Sequence, residues 1–407
     1  LGRTSATIAV PEAARALVTA GLARLTQRRP IVLAVPTSTE AERLAHDLGA
    51  YLGDERVELF PAWETLPFER VSPGVETMGR RLRVLWRLRD VEQAPEVVVA
   101  SVRALVQRLG PHVEDIEPLR IAPGQQIDRD QLVSDLVAAG YRREEMVEHR
   151  GELAVRGSIV DVFPSTADGP VRVDLWGDEV DRLTEFSVSD QRSIDDLSEV
   201  LLFPCRELLP TPEVRARAER LVGLEPWGRE QWERLAQGLV FDGMESWLPW
   251  LTKDEHALLD VVGDDAQILL CEPRRMRDRA ADLLAEEADL ASTLAVTWGA
   301  VEERSAEHGF PRLHLTFDRL LAHTRASAWH VVSVPDNPDT PQVQGSGWDP
   351  VVGDGTGLIT RLVGLQQDGF RIVVGADGEG LATRVRDLLQ SEGVAADVVI
   401  APLERGA

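Results

Sequence analysis

The strongest constraint in this sequence is an alternation between short runs with no polar residue and stretches of helical period. Ile31 to Val35, Val97 to Ala100 and Ile268 to Cys271 are wholly apolar, so each must be covered on both faces, the condition of a parallel sheet between helices. Helical stretches fall between them. Pro11 opens one with Ala14, Leu17, Val18, Leu22 and Leu25 on a single face, and Thr37 with Glu40 forms a capping-box signature for a second, ending near Tyr51. A short strand at Val57 to Phe60, a helix carrying Leu82, Leu85 and Trp86, and a helix over Val102 to Leu109 complete an α/β unit spanning 1–117.

The texture changes near Pro118. After one helix, Arg129 to Ala139, the stretch from Glu145 to Val188 holds four short runs rich in β-branched residues, broken by Arg150-Gly151, Ser165 to Pro170 and Gly177-Asp178. These are hairpin spacings, and they predict an antiparallel α+β domain inserted over 118–203. From Thr211 the helical pattern returns with Trp227, Trp232, Trp247 and Trp250, then the run ending at Cys271 and a helix after Pro273, so 204–335 is expected to complete the first sheet. Residues 336–350 read as a linker, being rich in Pro, Gly, Asp and Gln. Beyond it, 351–407 reads as a small α/β domain, with a helix from about Thr356, a strand Arg371 to Val374, a helix Leu381 to Gln390 and a strand Ala396 to Ile400.

A chain of 407 residues supports two to four cores. Its formal net charge of -24 argues against strong nonspecific nucleic-acid binding, which needs basic surface in excess. Two cysteines, Cys205 and Cys271, are too few for a disulfide framework or a metal cluster. With no basic segment leading into an apolar one at the start and no run of 18 apolar residues, a reducing cytoplasm is the expected compartment.

Catalytic signatures are missing where such a fold would carry them. A phosphate-binding loop needs Gly-Lys-Ser/Thr, and the only lysine, Lys253, stands in Thr252-Lys253-Asp254 with no glycine loop before it. Asp178-Glu179-Val180-Asp181 resembles an acidic helicase box, but Asp174, Trp176 and Gly177 interrupt the apolar run that should precede it, so a charged turn between strands is the better reading. Gly375 to Gly380 lies between strand and helix like a nucleotide turn, yet lacks the G-x-G-x-x-G spacing and carries two carboxylates that would repel phosphate. His149 and His308 show no metal-ligand spacing, and no serine stands in a G-x-S-x-G elbow. The informative signal is on a surface. In Val171-Arg172-Val173-Asp174-Leu175-Trp176 the aliphatic residues alternate onto one face, leaving Arg172 and Trp176 on the other. Arg156, on the preceding run, extends that side, and Arg with Trp is the pairing most enriched at binding hot spots.

Gly140-Tyr141-Arg142, the run from Glu148 to Pro164 and the run from Val171 to Asp181 together resemble the UvrA-binding domain shared by the UvrB and transcription-repair coupling factor families. Pro61 to Phe68, Ser72-Pro73, Arg80-Arg81-Leu82 and Gly243 to Trp247 with Pro249 are similar to the coupling-factor version of the surrounding domain. The resemblance covers residues 1–335 well and the last unit only by position. It implies a degenerate RecA-like domain without nucleotide binding, an inserted UvrA-binding domain, and a small third domain. The family's two arginines and one aromatic for UvrA fall on Arg156, Arg172 and Trp176. It further implies a module that recruits UvrA and is not itself an enzyme, with no cofactor in this segment. ATP with magnesium, RNA polymerase and double-stranded DNA would be engaged by domains following this chain, in an ATP-driven translocase. The alternative from a different class is a UvrB-like, damage-binding, DNA-dependent ATPase; a free-standing metabolic enzyme would need a catalytic cluster that the sequence lacks.

Overall fold

A computed structural model describes residues 5–90, 92–252, 255–297, 310–345, 354–401 and 403. Lys253 and His308 lie outside the described residues. In chain order the strands are β1 (Ser5–Ala9), β2 (Ile31–Val35), β3 (Val57–Phe60), β4 (Val97–Ser101), β5 (Leu119–Ile121), β6 (Arg142–Arg143), β7 (Glu152–Arg156), β8 (Ile159–Val162), β9 (Val171–Trp176), β10 (Glu179–Phe186), β11 (Ser193–Asp196), β12 (Val200–Leu202), β13 (Gln267–Cys271), β14 (Ser327–Val332), β15 (Ile372–Ala376) and β16 (Ala396–Ile400).

The first sheet runs β1-β14-β13-β2-β4-β3, and every pairing is parallel. Strands β2, β4 and β13 are buried at every position. Alternation divides their side chains between two cores. Val32, Ala34, Val98 and Ala100 pack with Leu82 and Leu85 of the helix Val75–Leu88. Ile31, Leu33, Val35, Val97 and Val99 pack with Ala16, Ala20, Leu44 and Leu48 from the helices Arg15–Leu25 and Ser38–Leu52. Thr37 caps the latter helix, accepting from the Glu40 N–H at 3.2 Å.

Three expectations are corrected here. The helix Arg15–Leu25 turns Leu17 and Leu25 to solvent and buries Ala16, Thr19, Ala20 and Ala23, because small residues let it lie close to the sheet. The helix expected over Val102 to Leu109 stops at Val106. Beyond that point the backbone is captured by a neighbouring segment: the Arg108 N–H donates to the Leu313 carbonyl and the Leu315 N–H to the Val106 carbonyl. The expected linker 336–350 is docked in part. The Ala9 N–H donates to Pro341 O and the Val343 N–H to Ala9 O, both at 2.8 Å, so residues 341–343 cover the open edge of β1.

The insertion forms its own sheet, β11-β10-β9-β8-β7-β6, antiparallel except for the pair β6 and β7. Its entry and exit strands, β5 and β12, pair antiparallel, with Leu119 opposite Leu202, which closes the insertion at its base. The helix Arg129–Ala138 buries Leu132 and Leu136 against Leu153, Val160, Val162, Val173 and Leu183 on one face of the sheet. Farther along, β15 and β16 pair in parallel with the helices Gly355–Gln367 and Glu379–Ser391 around a small core of Leu362, Ile372, Leu389 and Val394. Among the described residues no helix is long and apolar enough to cross a membrane.

Candidate protein-docking face

The residues of β9 alternate as the sequence predicts: Val171, Val173 and Leu175 are buried, whereas Trp176 is 82% exposed. Register sets what surrounds it. Asp161 of β8 stands opposite Arg172 of β9, and Ile159 stands opposite both Asp174 of β9 and Arg156 of β7. Two hairpin turns, Gly157-Ser158 and Gly177-Asp178, lie at the same end of the sheet, each with its glycine at φ 64°. Arg156 and Trp176 are the last strand residues before those turns, so two adjacent rigid hairpins hold them at one rim.

The arginines converge on one carboxylate. Asp161 is 1% exposed and accepts Arg172 Nε at 2.7 Å on Oδ1, and Arg172 Nη2 and Arg156 Nη2, each at 2.9 Å, on Oδ2. Arg172 also donates through Nη1 to the Gln191 carbonyl at 3.2 Å and lies over the Phe186 ring at 4.7 Å. Its hydrogen bonds to Asp161 push its pKa above the ordinary arginine value, against the effect of burial. Arg156, 47% exposed, adds a 3.1 Å bond to Gln191 Oε1. Of the three predicted residues, the structure thus joins the two arginines through a shared anion and places Trp176 apart at the rim.

Asp161 and Gln191 escaped the sequence reading. Alternation in Ile159-Val160-Asp161-Val162 puts Asp161 on the outward side, which was a usable signal; that it faces Arg172 depends on strand register. Gln191 gave none, since it stands in a loop at φ 60°.

The other motif segments tie the stretch that follows the insertion to the helix Val75–Leu88 and the loop before it. Arg81 and Glu207, both fully buried, pair through Nε–Oε2 at 2.8 Å and Nη2–Oε1 at 3.1 Å. Trp63 Nε1 donates to the same carboxylate at 2.8 Å, and Arg81 Nη1 donates to Pro61 O at 2.8 Å. Nearby, Arg206 and Ser72 both donate to Glu245. Gly243, at φ 77°, lies so close to Arg70 that a Cβ would come within 2.4 Å of its carbonyl carbon. At the carboxyl end of β2, only Pro36 and Thr37 separate the strand from the following helix, whose first turn holds Glu40.

An α/β core of parallel strands, interrupted by an antiparallel domain with a cationic and aromatic rim, defines a protein built around a UvrB-type interaction domain, and the family model described as the UvrB interaction domain matches residues 119–208. Over 321 residues, 75% of this chain and 25% of the relative, the sequence is 42% identical to the transcription-repair-coupling factor of Mycobacterium tuberculosis. It is 32% identical to that of Bacillus subtilis over 77% of this chain and 27% of the relative, and 31% identical to that of Escherichia coli over 54% and 19%. The chain spans about a quarter of the length of the first two of these curated relatives. It belongs to the transcription-repair-coupling factor family, as the N-terminal UvrB-like region.

Proposed function

We propose that this chain serves transcription-coupled DNA repair by recruiting UvrA, docking it on the insertion through Arg156, Arg172 and Trp176. The observation that carries the reading is the Trp176 indole, 82% exposed at the end of a strand whose alternate residues are core. A large ring left in water on a rigid hairpin, at the same rim of the sheet as Arg156, suits a partner that buries it. In this reading the insertion spans 118–203 between the halves 1–117 and 204–335 of the RecA-like domain, with the small domain 351–407 beyond, and the protein works in the cytoplasm. RNA polymerase, double-stranded DNA, ATP and magnesium are engaged by other parts of the longer coupling factor.

The segment itself hydrolyses no nucleotide. Two features support this: a two-residue connection from β2 to its helix leaves no loop to wrap a triphosphate, and Glu40 puts a carboxylate in the helix turn where phosphate charge would otherwise be stabilised. Calorimetry of the chain with purified UvrA tests the docking. Arg156→Ala, Arg172→Ala and Trp176→Ala are each expected to cost about 1–3 kcal/mol of binding; unchanged affinity in all three refutes it.

A further inference from the structure

Resting on the docking reading above, we infer that Asp161 is a positioning residue for the partner, and that Arg156, not Arg172, supplies the open N–H donors that meet it. The three guanidinium nitrogens of Arg172 are all engaged inside the domain, by the Asp161 carboxylate and the Gln191 carbonyl, and its side chain is only 18% exposed. Arg156 spends a single nitrogen, Nη2, on Asp161 and Gln191. Its Nε and Nη1 make no hydrogen bond among the described residues, and its side chain is 47% exposed. A guanidinium on a long flexible stem loses rotamer freedom when it binds, unless a fixed anion has already selected one rotamer. Asp161, with a buried carboxylate held on a central strand, is such an anion. Gln191 makes the second half of the clasp, because its amide Nε2 is tied to the carbonyls of Val147 and Val188, which aims Oε1 at Arg156.

This divides the labour differently from an account in which both arginines touch the partner. Arg172 holds the Asp161 charge in place and covers Phe186, while Arg156 keeps the N–H groups of Nε and Nη1 uncommitted for an oxygen acceptor, best a carboxylate. Removing the anion should therefore weaken docking through Arg156 alone.

The experiment is a double-mutant cycle on the 407-residue chain, with UvrA binding as the readout and urea denaturation as the fold control. Asp161→Asn is expected to weaken binding about tenfold, and to add nothing when Arg156 is already alanine, since the two act through one contact. Because Asp161→Asn leaves Arg172 without its anion and could destabilise the domain, Gln191→Gly is the second arm. It keeps the left-handed backbone and the carbonyl bonded to Arg172, removes the side-chain acceptor together with the amide's donations to Val147 and Val188, and is expected to weaken binding about threefold, again only when Arg156 is present. Full additivity of both variants with Arg156→Ala, or wild-type affinity in both, overturns the inference. Trp176→Ala, Arg156→Ala and Arg172→Ala separate the two levels: if all three also leave affinity unchanged, the docking reading has failed; if any of them weakens binding while Asp161→Asn and Gln191→Gly do not, only the positioning role has.

Discussion

Replacing Arg81 by methionine should destabilise the first domain severely, and the amount can be worked from the clamp it would break. Arg81 and Glu207 are fully buried and share two charge-assisted hydrogen bonds; Trp63 and Pro61 complete the set. Methionine fills most of the stem volume, so the loss is electrostatic: Glu207 would keep its charge in the interior with one donor, Trp63 Nε1, instead of three. Breaking a buried pair by removing one partner costs about 3–5 kcal/mol. The double replacement Arg81→Met with Glu207→Leu leaves no stranded charge, only the unpaired Trp63 N–H and Pro61 carbonyl, and should recover about 1–3 kcal/mol of that loss. Urea denaturation followed by tryptophan fluorescence reads both, since Trp63 and the Trp227, Trp232, Trp247 and Trp250 cluster lie in this part of the molecule. A single substitution costing under about 1 kcal/mol, or a double mutant as unstable as the sum of the singles, would refute the assignment of the clamp.

Other expected outcomes concern the surface and the thiols. Trp176→Ala should leave the unfolding free energy within about 0.5 kcal/mol of wild type, because the ring contributes little to its own core; a larger drop would mean the ring is structural. Burial pushes the thiols of Cys205 and Cys271 up to about 12, so near pH 8 a thiol-reactive disulfide should label neither in the folded protein and both after denaturation. Rapid native labelling would contradict that burial. Titration of the chain with magnesium-ATP should give no saturable signal; binding that saturates would favour the UvrB-like ATPase alternative.

The all-apolar runs of β2, β4 and β13 revealed the parallel sheet, because a strand covered on both faces has no other composition available. Strands β1 and β14 were not legible. Ser327–Val332 carries Trp329 and His330 and is buried only at alternate positions, and Ser5–Ala9 is a half-buried edge strand. The helix Arg15–Leu25 misled because leucine is the usual mark of a core face, whereas close approach to the sheet selects alanine. At the docking face, alternation located Arg172 and Trp176, since a single strand contains that information. The Asp161 clasp needs the register of three strands and the path of a loop, and no local pattern encodes those. Residues 341–343 read as linker because a backbone-only pairing to Ala9 leaves the side-chain pattern polar.

The most direct test of the docking face is amide hydrogen exchange of the chain with and without saturating UvrA. The account predicts new protection confined to the hairpins around Gly157 and Gly177 and to the loop at Gln191, with the β2 to helix connection at Pro36 and Thr37 unchanged. Protection that spares both hairpins and falls on the carboxyl ends of the parallel strands would contradict it.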